Sequence, residues 1–153
     1  LPFEDESFDL VLALDVIEHI EDDASAMMEI YRVLKSGGRA IITVPAFNFL
    51  WNKSDLRAHH KRRFIKKTLR TLVSNSGFQI LRLTYFNFFL FPAIAGAKLL
   101  LKIWEPKRLS YSEIKTPKPI LNRALLSLFS FEARLLNKMN LPFGISLGVV
   151  LKK

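Results

Sequence analysis

The sequence predicts an α/β fold built on a parallel pair of strands, on three observations. Phe8 to Leu14 is a near-continuous apolar run broken only by Asp9. It has strand length and is too apolar for either face to meet water, which marks a buried parallel strand. The run then ends abruptly on Asp15, Glu18 and His19, with Glu21, Asp22 and Asp23 behind them. Ligands of open α/β sheets bind outside the carboxyl ends of the strands, so this polar cluster is the first place to look for chemistry. Finally, a helical pattern and a second buried run, Ala40 to Val44, follow with short joints. Strand, helix and strand in that order read as a right-handed βαβ unit.

The elements follow in order. Asp22 or Asp23 can cap a helix whose apolar face is Ala24, Met27, Met28, Tyr31 and Leu34. The acids suit the positive end of its dipole, and Gly37-Gly38 is expected to stop it as a left-handed cap. Pro45 ends the second strand. Residues 46–64 form a loop with Phe47, Phe49 and Trp51, then the basic run His59-His60-Lys61-Arg62-Arg63-Phe64. A helix from Lys66 to Ser76 buries Leu69, Leu72 and Val73 and stops at Gly77, although Ile65 cannot cap it. Phe78 to Thr84 is the next strand. The segment from Phe86 to Trp104 is strongly apolar but interrupted by Pro92, Lys98 and Lys102. Its charge-free part is too short for a spanning helix, so a helix over the substrate pocket or on a membrane surface is expected. Glu105 to Pro119 reads as an exposed loop. Leu121, Leu125, Leu128, Phe131 and Leu135 mark another amphipathic helix, and Ile145 to Leu151 a last strand.

With 153 residues and 17.6 kDa the chain is long enough for one core, and at 50% hydrophobic residues it is not a disordered segment. It has no cysteine, which excludes disulfides and thiolate metal sites and fits a reducing, cytoplasmic compartment. The net charge of +9 and pI near 10.0 point to an anionic partner.

Leu1-Pro2-Phe3-Glu4-Asp5-Glu6-Ser7-Phe8-Asp9, the strand after it, and Asp15-Val16-Ile17-Glu18-His19 together resemble the middle of a class I S-adenosylmethionine-dependent methyltransferase. The resemblance continues through Leu34-Lys35-Ser36-Gly37-Gly38 and the strand Arg39 to Val44, to about Thr84, and again over Pro142 to Leu151. It implies a Rossmann-like sheet, of which this chain holds only the part equivalent to strands 4-5-7-6, with the last strand antiparallel. The Gly-x-Gly-x-Gly loop and the ribose-binding acid of that family are not in the sequence. Residues 1–153 therefore read as the C-terminal part of a single methyltransferase domain, and 86–140 as an apolar, helical insertion or substrate-side cover.

By the same resemblance, Leu1, Pro2 and Phe3 run along the adenine of S-adenosylmethionine, and the backbone of Leu14 and Asp15 receives its amino group. His19 packs on the cofactor and stands as a candidate catalytic residue. Asp15, Glu18 and His19, at i, i+3 and i+4, would share one face of a helical turn and could hold a divalent metal, as in relatives with a Glu-x-x-Glu-His version of the stretch; no metal site is assigned. His60 matches the His of a Gly-His-x-Arg-Arg-Tyr pattern, with His59 in place of the Gly and Phe64 in place of the Tyr. It is the candidate base toward an acceptor hydroxyl. Arg62 and Arg63 would bind a phosphate or carboxylate, with Trp51 beside the acceptor. The expected activity is methyl transfer to a small-molecule or lipid-linked anionic acceptor, with peripheral membrane contact through 86–104. The alternatives are an RNA methyltransferase, for which no RNA-binding module is present, and a non-catalytic basic module on a membrane surface.

Overall fold

The computed structural model describes residues 1–103 and 118–153. Trp104 and nearly all of the loop expected between Glu105 and Pro119 lie outside the described residues. The chain runs β1 (Phe8–Leu14), a 3-10 turn (Ile17–His19), α1 (Asp23–Val33) and β2 (Leu34–Pro45). After a second 3-10 turn come α2 (Lys53–Arg57), α3 (Lys66–Asn75) and β3 (Gln79–Phe86). The helices α4 (Phe91–Ile103) and α5 (Pro119–Lys138) precede β4 (Ser146–Lys152).

The four strands form one sheet in the order β1-β2-β4-β3. β1 pairs with β2 in parallel, and β4 runs antiparallel to both β2 and β3. This is the expected 4-5-7-6 arrangement with its antiparallel strand. Ala40, Ile42 and Val44 of β2 and Leu147, Val149 and Leu151 of β4 alternate into the core, meeting Met27 and Ile30 of α1 and Leu69 and Val73 of α3. All but Ile30 are at most 1% exposed, so each large side chain contributes about 1.5–3 kcal/mol of burial.

Two expectations need correction here. Gly37 and Gly38 do not cap α1. That helix ends at Val33 and passes directly into β2, where Gly37 takes φ +79°. Gly38 lies so close to β1 that a Cβ would stand 3.2 Å from the Asp9 carbonyl and 2.8 Å from that of Lys35. The glycines serve a close backbone approach inside the sheet. β1 is also not buried on both faces. It forms a sheet edge, with Ala13 in the core while Leu10, Leu12 and Leu14 are 50–56% exposed.

The α4–α5 flank is packed differently. Pro92 sits in the first turn of α4, where its missing N–H costs nothing. The apolar face expected on α5 is only partly covered: Leu125, Leu128 and Leu135 are half-buried, whereas Leu121 and Phe131 are exposed. The fully buried side chain of α5 is Glu132, which accepts hydrogen bonds from the backbone of Phe88 (2.9 Å) and Phe89 (3.4 Å) just before α4.

Candidate functional site

β1 and β2 are parallel, so the segments after them emerge at one edge of the sheet. The turn Ile17–His19 follows β1, and the loop 46–64 follows β2. Two residues of the loop hold the two together. The Lys61 N–H donates to the Glu18 carbonyl at 2.8 Å. Arg62 donates to Asp23 at 2.7 Å and to the carbonyls of Ile20 and Glu21. His59 takes φ +56°, the left-handed conformation that glycine adopts without penalty, which explains why a glycine fits this place in the Gly-His-x-Arg-Arg-Tyr pattern.

This closure brings three side chains to one point. Ligand atoms of Glu18, His19 and His60 lie within 4.8 Å of one another. The imidazoles of His19 and His60 meet edge to face with centroids 4.7 Å apart. Glu18 is fully buried, and neither carboxylate oxygen has a hydrogen-bond partner. Its Oε1 stands 3.9 Å from His60 Nε2 and 4.0 Å from His19 Nε2. Burial, with the charge of Asp15 adding to it, pushes the Glu18 carboxyl above its ordinary value against the pull of the two imidazoles.

Asp15 does not share a helical face with Glu18 and His19 as expected. It takes φ +52°, and its N–H and carboxylate both turn to Thr43 of β2. The turn after it is 3-10 rather than α-helical, and the third member of the cluster comes from the loop 46–64 instead.

The other candidates fall around this point. Leu14 and Asp15 are exposed at the end of β1. Leu1, Pro2 and Phe3 are exposed, and Leu1 borders an apolar groove of about 490 Å³ lined by Val11, Ala13, Val16, Ile17 and Ile30. Trp51 is half-buried in the loop after β2. Arg62 and Arg63 turn to partners within the chain. Arg63 is 8% exposed in its side chain and grips Asp55 through Nε at 2.8 Å and Nη2 at 3.0 Å. Phe47 stacks on Tyr85 at 5.0 Å and touches Phe49 and Phe91, and Phe91 leads on to Phe143. An aromatic wall thus rises beside the His60 loop.

Two residues escaped the sequence reading. Arg32 holds the 1–3 segment, donating to the carbonyls of Phe3 (2.9 Å) and Leu1 (3.2 Å), while its hydrogen bonds pull the Glu29 carboxyl down to about 2. Asp55 is 1% exposed and bonded to His60 Nδ1 at 2.8 Å. Its signal was present as Asn52-Lys53-Ser54-Asp55, a capping-box spacing five residues ahead of His60.

Residues 1–42 match the family described as "Methyltransferase domain". The chain is 32% identical over 80 residues to phosphoethanolamine N-methyltransferase 2 of Caenorhabditis elegans, a match covering 50% of this chain and 18% of that protein. It is 48% identical over 42 residues to demethylmenaquinone methyltransferase of Streptomyces griseus, covering 28% of this chain and 18% of the relative. The chain thus spans less than a third of these curated relatives. Among solved structures, phosphoethanolamine N-methyltransferase 2 of Haemonchus contortus, bound to S-adenosyl-L-methionine, superposes with TM-score 0.54 at 20% identity, over 99% of this chain and 34% of that one. A methyltransferase of Archaeoglobus fulgidus gives 0.54 at 18% identity, over 97% and 61%. The structural likenesses show the fold, that of S-adenosylmethionine-dependent methyltransferases, and residues 1–42 carry the sequence match to a methyltransferase domain.

Proposed function

We propose that residues 1–153 form the C-terminal, acceptor-side part of a methyltransferase domain that methylates a small, anionic, partly apolar acceptor. The observation that carries this reading is His60, seated between the buried Asp55 and the Glu18–His19 pair at the strand ends, beside the aromatic wall of Phe47, Phe49 and Phe91. Bound S-adenosylmethionine supplies a methyl group already activated on a sulfonium. The chain's own residues then have to bind, align and deprotonate the acceptor. The groove beside Leu1 is apolar enough for adenine, with Pro2 and Phe3 next to it in the chain, and Leu14, Asp15 and His19 would hold the cofactor's methionyl end. His60 Nε2 would take the proton that the acceptor heteroatom gives up on methylation. Trp51 and the helices α4 and α5 of the segment 86–140 would cover the apolar part of the acceptor. Arg62 and Arg63, expected to bind the anionic part, instead shape the loop through Asp23 and Asp55. Two relatives are named for small acceptors, phosphoethanolamine and demethylmenaquinone, which supports a small molecule over RNA.

Among the described residues no helix is long and apolar enough to cross a membrane. Ile94, Leu99 and Leu100 of α4 are exposed, which supports a domain that touches a membrane surface and meets a lipid-linked acceptor there. Flotation with anionic vesicles checks this; a protein left at the bottom of the gradient removes it.

His60→Ala in the intact enzyme tests the main reading. Its single-turnover rate should fall by about 10²–10⁴ while cofactor affinity holds. Equal losses in both would put His60 in the cofactor site and end the reading.

Glu18 favours a second reading. A fully buried carboxylate without hydrogen-bond partners, facing two imidazoles, has the donor set of a divalent cation site. Glu18, His19 and His60 would hold the ion, which would act as a Lewis acid on an acceptor oxygen. Calorimetric titration with Mn²⁺ of the wild type and of Glu18→Gln decides it. No heat from the wild type discards this reading.

A further inference from the structure

The loop 46–64 carries a buried acid that no part of the methyl transfer described so far employs. Asp55 Oδ1 faces His60 Nδ1 at 2.8 Å and accepts from Arg63 Nε at 2.8 Å. Oδ2 accepts from the Asn52 N–H at 2.7 Å and from Arg63 Nη2 at 3.0 Å. Burial pushes its carboxyl up, but the Arg63 hydrogen bonds and the Asn52 N–H outweigh this and hold it below the usual carboxylate range. An ionised carboxylate only accepts, so the imidazole nitrogen facing it must carry the hydrogen. A neutral imidazole has one such hydrogen. The other nitrogen, Nε2, is then bare, and it is the one 3.9 Å from Glu18. The His60 N–H also donates to the Asp55 carbonyl at 2.9 Å, so backbone and ring are both fixed against the same residue.

A purely structural role, closing the cap of α2, would need only Oδ2 on the Asn52 N–H. It leaves unexplained why Oδ1 is spent on the ring of His60, and why an almost fully buried arginine is committed to the same carboxylate.

We propose that Asp55 is the positioning residue of this site: supported by Arg63, it fixes the orientation and the tautomer of His60, so that a bare Nε2 is presented to the acceptor. This rests on the reading of His60 as the group that takes the acceptor's proton.

The test is the tautomer of His60, read from its side-chain ¹⁵N resonances in the intact methyltransferase at a pH where the ring is neutral, together with single-turnover rates. In the wild type the hydrogen should lie on Nδ1. Hydrogen on Nε2 overturns the proposal whatever any variant does. Asp55→Asn replaces one oxygen by an NH₂ group. Placed at Oδ2, it would face the Asn52 N–H, a donor that cannot change. Either placement costs one Arg63 hydrogen bond, but placed at Oδ1 the NH₂ group also faces His60, which can change. The hydrogen should therefore move to Nε2. The rate should fall at least about 100-fold with cofactor affinity held within about two-fold, as expected for a wrong tautomer. An unchanged tautomer in a folded Asp55→Asn protein overturns the proposal. A changed tautomer with an unchanged rate supports Asp55 as the residue that sets the ring, and overturns the role of His60 as proton acceptor.

Discussion

The loop cluster around His60 and the α4–α5 flank invert the ordinary distribution of side chains in opposite directions. In the cluster, Glu18, Asp55 and Arg63 are charged-type residues with almost no exposure. On the flank, Leu99, Leu100 and Ile120 are 67–85% exposed. Burying charge is tolerated only where every charge finds a partner, and Asp55 does so with four donors. Glu18 does not, and that marks it for chemistry rather than stability. Exposed apolar side chains cost little one by one, but a whole helix of them asks for a surface to lie on. The first region is therefore where substitutions should be felt in folding. The second should be felt only in binding.

The largest effect expected is at Arg63→Ala, which leaves Asp55 buried and half-bonded. Denaturant unfolding should show a loss of about 3–5 kcal/mol. A loss under about 1 kcal/mol would mean that water replaces the guanidinium and that the cluster is no more demanding than the flank. Next comes pH. The folded state holds the Glu18 proton more tightly than the unfolded chain does. Stability is therefore present in full below the ordinary value of 4.5 and is lost as pH rises from there through the raised folded value. Glu18→Gln keeps the shape without the charge and should flatten that decline. Parallel curves for the two proteins would place the titration elsewhere. A smaller gain is expected from Ile65→Thr. Ile65 is 40% exposed and gives α3 no side-chain cap, so a hydroxyl there should add about 1 kcal/mol. The smallest effect is at Ile120→Ser on α5, where stability should stay within about 0.5 kcal/mol. A larger loss would show that the flank packs on something.

The strands were legible because each is an apolar run of the right length between breakers, and their order followed from the resemblance. Gly37-Gly38 misled because a glycine pair after a helical pattern signals a cap, while a close approach to Asp9 leaves no trace in local sequence. The His60 loop was readable as a motif. Burial inside it was not: Lys61, Arg62 and Arg63 look alike in sequence, yet Lys61 pairs with the exposed Glu21 while Arg63 is enclosed. The Glu18–His19–His60 convergence joins residues some 40 positions apart, and only the parallel pairing of β1 with β2 brings them to one edge.

The place of β4 has a consequence in time. It lies between β2 and β3, and it is made well after both. About 60 residues separate Phe86 from Ser146, so at 5–20 residues per second a ribosome needs about 3–12 s to supply the strand that β3 pairs with. Through that interval β1 and β2 can already be zipped, while β3 waits with its hydrogen-bonding edges open and Leu83 and Tyr85 unsheltered. A nascent chain stalled between α4 and β4 would thus offer chaperones, or a neighbouring nascent chain, the edge of β3 that β4 covers in the finished sheet.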